Sequence, residues 1–337
     1  MLNGKPMPAF AFACLLSIGY VCRRIISKTH HTSSSLNGII VRSNFTRDSQ
    51  VCKRLVRPVS LALLTILLEA LTTAAHAQTD YGRPTPMLLQ TDHPWLATPD
   101  RRLRLSLGMG TRSAWRAPIS GLQGDLLEMG IVRADWTVAS RVIIQLRGTI
   151  RQRLKIDEQH SAPVAGYPQS GTTEDVGDFS LATVLRFYEN KPHTVALGLQ
   201  FETKLPNSTQ VKGIGTNTTD INLSALLAAR YSTLLAFASA GIGILQAPLE
   251  IDEQNDVFLY GIGLTWALHR RWELAGEING WFNTRNLIPL GTESRGALQL
   301  GVTWRHRELS VETMLRHGVT VNEGNWGVAA AFAVLLP

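Results

Sequence analysis

The chain has 337 residues, of which 45% are hydrophobic and 18% charged, and a formal charge of +7. That charge is local: nine Lys/Arg and two acids fall in residues 1–77, leaving 24 basic and 24 acidic residues from 78 onward, so the basic pI gives no reason to invoke nucleic acid. All three cysteines (Cys14, Cys22, Cys52) lie in the same stretch, which leaves the body of the chain with no disulfide framework or thiolate site, and no apolar run after residue 77 is long enough for a transmembrane helix.

Residues 1–50 hold an apolar stretch, Ala9 to Tyr20, then Arg23-Arg24 and a Ser/Thr/Asn-rich segment. They read as an upstream extension, either disordered or lying before the true start, with Val51 as a non-Met start. Residues 51–77 have the form of a secretory signal peptide. Lys53, Arg54 and Arg57 make a basic start, Leu61 to Leu71 a short apolar core, and Ala75-His76-Ala77 a cleavage site with small residues at both recognition positions. Residues 78–101 carry Pro84, Pro86, Pro94 and Pro99 and no periodicity. They read as a periplasmic lead-in, or a segment folded into a barrel mouth.

From 102 to 337 the pattern is strict period-2 alternation, the mark of strands with one apolar and one polar face. It is clearest at Thr194 to Tyr231. Val195, Leu197, Leu199 and Phe201 oppose Gly198, Gln200, Glu202 and Lys204; after a polar loop, Ile221, Leu223, Ala225 and Leu227 oppose Asp220, Asn222, Ser224 and Arg230. Twelve runs are legible: 102–112, 126–138, 140–153, 177–188, 193–204, 219–231, 233–246, 256–268, 271–283, 295–305, 308–316 and 325–336. Runs of this length exceed the ~5–6 residues of soluble strands and suit a tilted membrane-crossing strand. Links after even-numbered runs are short and links after odd-numbered runs are long. Together these features predict an all-β, transmembrane up-and-down antiparallel β-barrel of about twelve strands, with ten to fourteen compatible with the weaker runs. Run 7 alternates weakly and run 12 is Ala-rich.

Aromatic residues cluster at the run ends. Trp136, Phe187, Tyr188, Tyr231, Trp266, Trp272 and Trp304 lie near the short turns. Trp115, Phe258, Trp281, Phe282 and Trp326 lie near the long loops. Two interfacial girdles are expected.

Lipid cannot solvate charge, so the polar faces must line the lumen. The expected lining includes Arg104, Arg133, Arg147, Arg186, Glu202, Lys204, Asp220, Arg230, Glu273, Glu277 and Glu312, with Arg112, Arg141, Arg151, Arg305 and Arg316 also on polar faces. The first four runs are mainly basic, and runs 9 and 11 contribute acids. Either the resulting transverse field orients polar solutes, or the charges pair and fill the interior. Lys204 and Asp220 fall on the inner faces of runs 5 and 6 near the outer mouth, where a mutual ion pair would pin the loop between them.

Four Gly-x-Gly pairs (108/110, 213/215, 241/243, 261/263) occur, none in a strand–helix context for a dinucleotide. No His/Cys/carboxylate cluster has metal-ligand spacing. His317 lies near an outer rim but has no serine nucleophile beside it on runs 10–12. Nothing in the chain calls for a catalytic residue, a cofactor or a metal.

The segment Gln200–Ile221, with Lys204-Leu205-Pro206 and Gly213-Ile214-Gly215-Thr216-Asn217-Thr218-Thr219-Asp220, resembles the MetA-pathway of phenol degradation family, outer-membrane barrels related to long-chain fatty-acid transporter-like barrels. Asn207-Ser208 stand where that family has Thr-Gly, and the chain ends in Pro337 rather than Phe. The resemblance implies movement of small aromatic or hydrophobic compounds.

The sequence thus points to an outer-membrane channel or transporter of a Gram-negative bacterium. Its expected partners are lipid and a small-molecule solute, without nucleic acid, and it is expected to be a monomer. A closed barrel with a structural or loop-mediated binding role, and then a lipase-type barrel enzyme, are the alternatives. Mass spectrometry of the exported protein tests the leader: the N-terminus is expected at Gln78, and any mature species retaining residues before 51 would refute the late start.

Overall fold

The structure, a computed structural model, describes residues 85–96, 102–160, 167–168, 170–191, 193–246, 254–285, 288 and 291–336. The upstream extension and the signal peptide lie outside the described residues. Thirteen strands occur among those described: β1 (Leu103–Arg116), β2 (Leu122–Ala139), β3 (Val142–Gln159), β4 (Gly171–Asp175), β5 (Phe179–Glu189), β6 (Val195–Leu205), β7 (Asp220–Tyr231), β8 (Leu234–Gln246), β9 (Gln254–Ala267), β10 (Trp272–Phe282), β11 (Arg295–His306), β12 (Leu309–Gly318) and β13 (Trp326–Leu336). Twelve of them form a closed antiparallel ring. Each pairs with its sequence neighbour, β3 with β5, and β13 returns to β1, Leu103 opposite Leu336. The short β4 hangs on the outer part of β3, Leu154 opposite Thr173. A closed ring satisfies every strand edge, which an open sheet in lipid cannot do.

The alternation sets which side faces out. Leu107, Leu199, Phe201, Leu223, Leu227, Ile242, Ile262, Leu300 and Phe332 are all exposed on the outer wall. Between them stand buried polar side chains such as Gln145, Glu277, Gln299 and Thr303. This is inside-out relative to a soluble sheet and is the transmembrane type of barrel. The short links are tight. Ser232 and Arg307 take positive φ, 54° each, to reverse the chain. After β5 the Asn190 side chain closes the turn, its Oδ1 accepting from the amides of Thr194 (2.9 Å) and Val195 (2.7 Å).

Several expectations are corrected. β1, β2 and β3 run further outward than their alternation showed, and the expected long loop 113–125 shrinks to the turn 117–121. Above the lipid the contrast inverts on β3, with Arg153, Lys155 and Asp157 facing out and Leu154 and Ile156 packed inward, so the lipid-facing pattern stops there. Arg141 lies in a turn and is exposed, and Arg151 is exposed and bound to Glu174 on β4 rather than to the lumen. The inner-leaflet girdle keeps Trp136, Phe187, Tyr188, Tyr231 and Trp272 exposed on the outer wall. The outer girdle keeps Phe258, Phe282 and Trp326, but Trp115 is buried and Trp281 lines the lumen. Trp115 turns inward because Ala114 takes φ 51° and the β1–β2 register slips between Arg112 and Trp115. Such a bulge reverses the face of each residue beyond it.

The outward face makes a direct prediction. Leu227 sits midway along β7, paired with Leu197 and Ala238. A Leu227→Arg substitution is expected to cost about 2–4 kcal/mol, and Tyr231→Arg at the rim about 0–1 kcal/mol. Urea unfolding from lipid vesicles measures both; equal costs at the two positions would contradict the placement of the belt.

Candidate functional site: a plugged lumen

Of the two readings of this stretch, a lead-in or a segment folded into the barrel mouth, residues 85–96 follow the second and lie inside the barrel. Pro86 and Pro94 remove two amide donors, so this segment cannot add to the wall as a strand. It turns at Met87–Leu88 and ends in a 3-10 turn, Pro94–Leu96. Its backbone groups are buried and must find partners among wall side chains.

They do so with a consistent polarity. The basic wall receives the carbonyls: Arg104 donates to Thr85 O, Arg133 to Leu89 O (2.9 Å) and Met87 O (3.4 Å), and Arg147 to Gln90 O (3.2 Å). The acidic wall receives the amides: Glu312 accepts from Leu88 N (2.9 Å), and Glu277 from Gln90 N (2.7 Å) and Thr91 N (2.9 Å). Charge-assisted bonds of this kind are each worth roughly 1.5–3 kcal/mol.

Asp92 is the centre of the arrangement. Its Oδ1 accepts from Arg133 (2.9 Å) and Gln145 (3.2 Å). Its Oδ2 accepts from Arg147 and from Gln200 (2.8 Å). Burial alone would raise this carboxyl, but Arg147 and Arg133 outweigh it and hold the group below the ordinary aspartate value. Behind the clamp, Asp135 accepts from Arg133 (2.9 Å) and Gln145 (3.1 Å) and pairs with Arg104 (3.6 Å).

Apolar contacts hold the rest. Leu88 and Leu89 bury against Ala228, Leu235, Phe237, Ala275, Met314 and Ala331 of the inner wall. This explains the weak alternation of the seventh run: the inner face of β8 carries Leu235 and Phe237 because it meets the plug, not water. Glycine makes room at the closest approach, where a Cβ on Gly261 would stand 2.5 Å from Thr91 Oγ1. Trp95 donates from Nε1 to Glu189 (2.6 Å) and lies under the Arg230 guanidinium at 4.6 Å.

The remaining expected lining residues stand on the inner faces of their strands. Arg186 donates to Ser140 O (2.7 Å) and pairs with Glu189 (3.5 Å). Glu273 pairs with Arg305 (2.9 Å), and Glu202 accepts from Gln200 (3.3 Å). Lys204 and Asp220 pair at 2.6 Å, and Lys204 also reaches Thr216 Oγ1 (2.5 Å) and Asp178 (3.7 Å), so the pair does tie down the loop between β6 and β7. That loop folds over the outer mouth. Its Ile214 is buried with Trp115, Ala117, Leu122, Leu126 and Leu154.

A second chain carboxylate enters from the outside. The 3-10 turn Val321–Glu323 places Glu323 among Arg112 (3.2 Å), Arg295 (3.6 Å) and Arg316. Burial would raise this carboxyl; Arg316, Arg112 and Arg295 outweigh that and hold it below the ordinary glutamate value. Between the plug and this outer cover lies a cavity of about 510 Å³, lined by Asp92, Arg147, Gln200, Glu202, Arg316 and Glu323 among others. At the short-turn end a second cavity of about 440 Å³ is ringed by Arg102, Arg104, Arg270, Arg271, Arg305 and Arg307. No group of three or more potential metal ligands occurs among the described residues.

Sequence reasoning missed Asp92 and Glu323, because each lies in a segment without periodicity. The inward Leu235 and Phe237 and the inner-face glycine Gly261 were the available hints that something solid fills the lumen.

No protein-family model and no curated protein matches the sequence. Solved structures similar in fold are outer-membrane barrels. The NanC porin has a TM-score of 0.45 at 9% identity, covering 69% of this chain and 99% of its own. The KdgM porin in complex with disordered oligogalacturonate has 0.41 at 5%, covering 70% and 98%. A Pseudomonas aeruginosa FadL homologue has 0.35 at 9%, covering 78% and 96%.

Docking of the plug is expected to depend on pH through His93. Its Nδ1 accepts from Trp95 N (3.2 Å), its Nε2 meets Thr85 Oγ1 (3.1 Å), and burial holds its pKa down to about 3 from an ordinary 6.5. A pKa depressed by docking stabilises the docked plug fully above pH 6.5, and that contribution is lost as pH falls toward about 3. A spin label at position 90 of the otherwise cysteine-free chain 78–337 is expected to gain mobility between pH 6.5 and 4. His93→Gln is expected to flatten that change; an identical titration in both would show that His93 is not the coupled group.

Proposed function

We propose that this protein is a monomeric outer-membrane barrel that passes small solutes passively through a lumen whose resting state is plugged. The observation that carries this reading is the cavity of about 510 Å³ held between two covers that belong to the chain itself. Neither cover is part of the barrel wall. The plug is attached by hydrogen bonds, ion pairs and a small apolar contact, all of which water or solute can replace. The closed ring with its apolar outer belt supports a place in the outer membrane. Lipid and a small solute are the partners this reading needs, and it needs no cofactor or reaction. The resemblance of Gln200–Ile221 to the MetA-pathway family supports small aromatic or hydrophobic compounds as solutes.

The extent of pairing around the plug favours a second reading, a permanently packed barrel acting through its outer loops. Conductance separates the two. Refolded residues 78–337 in a planar lipid bilayer are expected to give rare single-channel steps, and Asp92→Ala is expected to make them at least tenfold more frequent. With a salt gradient the reversal potential is expected to show anion preference, because removing Asp92 leaves Arg133 and Arg147 in the lumen. Silence from both proteins, each shown to be folded by resistance to SDS until heated, would select the packed barrel.

A further inference from the structure

The clamp around Asp92 is a complete carboxylate receptor. Each carboxylate oxygen takes two donors, and the four donors come from three strands: Arg133 on β2, Gln145 and Arg147 on β3, and Gln200 on β6. Each donor belongs to the wall; the carboxylate alone belongs to the plug. We infer that this clamp is a binding site for the carboxylate of a small organic acid, filled in the resting state by the protein's own Asp92.

Three observations support exchange of one carboxylate for another. First, the clamp does not need Asp92 to keep its shape. Asp135 holds Arg133 and Gln145 from behind, and Arg147 donates to Gln145 Oε1 at 3.1 Å. Donors held in place beforehand bind an incoming ligand with less ordering cost. Second, charge demands an anion there. Asp92 pairs with both Arg133 and Arg147; without it Arg133 is left with Asp135 and Arg147 loses its ion pair, and an uncompensated buried charge is expensive. Third, the site opens on the 510 Å³ cavity, which Asp92, Arg147 and Gln200 all line.

That cavity has room and polarity for the rest of such a molecule. Among the described residues that line it, Arg147 Nε, Arg295 Nε, Arg316 Nε and Trp281 Nε1 are buried donors without a partner, against the acceptors Asn222 Oδ1 and Asp178 Oδ1 and the Thr91 hydroxyl, which can play either part. A surplus of donors suits an anionic guest, and the Trp281 indole offers an apolar face to a ring or short chain. Glu323, held by Arg112, Arg295 and Arg316 at the outer cover, repeats the arrangement on the way in. An acid arriving from outside would meet this arginine cluster first and the Asp92 clamp second. It would displace one internal carboxylate at each, so the charge balance of the wall is never broken.

This inference rests on the channel reading for the supply of ligand, but its test does not use conductance. The probe is benzoate, with benzamide as its neutral counterpart and inorganic phosphate as a second anion, titrated calorimetrically into refolded residues 78–337 in detergent. Benzoate is expected to bind Asp92→Asn and Asp92→Ala at least tenfold more tightly than the unsubstituted protein. The gain is expected to vanish in Asp92→Ala/Arg147→Ala, and benzamide to bind none of them measurably. Equal benzoate affinity with and without Asp92, survival of the gain without Arg147, or equal binding of phosphate would each overturn the assignment. Benzoate binding by a protein that never conducts would leave the clamp standing and remove the channel reading; conductance without carboxylate-specific binding would do the reverse.

Discussion

A bilayer accepts neither charge nor an unpaired backbone, and the structure follows from that exclusion. Closing the ring settles the backbone of the wall. Turning the apolar face outward then forces the other face inward, with its arginines on β1–β3 and its glutamates on β10 and β12. The constraint that makes a transmembrane barrel therefore also creates an interior of dense, opposed charge. Eight-stranded barrels are filled by their own side chains and sixteen-stranded ones by water. Twelve strands fall between, and here the opposed arcs do not meet. Among the described residues no ion pair joins Arg104, Arg133 or Arg147 to Glu277 or Glu312; the plug lies between them.

The plug answers that field with its backbone. Amides and carbonyls of a peptide are equal in number and opposite in sign, so a segment crossing between a basic and an acidic wall can satisfy both at once. Residues 87–91 do so, offering carbonyls to arginine and amides to glutamate. The expected pairing of interior charges is thus made through the plug. The opposed wall charges hold a piece of the chain between them, and that piece completes the pairing. This also explains why the segment need not be regular. Secondary structure would consume the backbone groups that the walls require.

The wall was legible in the sequence because one physical rule, period-2 contrast, governs every residue that touches lipid. It fails where the rule ceases to apply. Beyond the bilayer, β1–β3 turn polar residues outward and bury Leu122, Leu126 and Leu154 inward, so the apolar-out pattern that marks the wall stops there. At Ala114 a positive φ reverses the parity, and Trp115 goes inward although its position near a long loop suggests a girdle. Inside the lumen, the plug and the Val321–Glu323 turn have no period at all. Their positions depend on wall residues far away in the chain, such as Glu277, 187 positions from its plug partner Gln90. What the sequence does hold is the wall's half of the contact: Leu235, Phe237 and Gly261 on an inner face have no purpose in a water-filled lumen.

The form of the closure matters as much as the fact of it. Had the basic and acidic arcs bonded directly, the interior would be fixed by the wall, and opening would mean breaking the barrel. Routing the bonds through residues 85–96 places the closure on a segment that belongs to no strand. Its departure would expose the wall charges to water, which recovers much of what desolvation cost them. The same reasoning applies to Glu323 on its outer turn. Each is a carboxylate on a non-strand segment, held by fixed arginines and bordering one cavity. On the channel reading proposed above, closure is an occupancy of anion sites rather than a constriction of the pore, and whatever competes for those sites competes for the closed state.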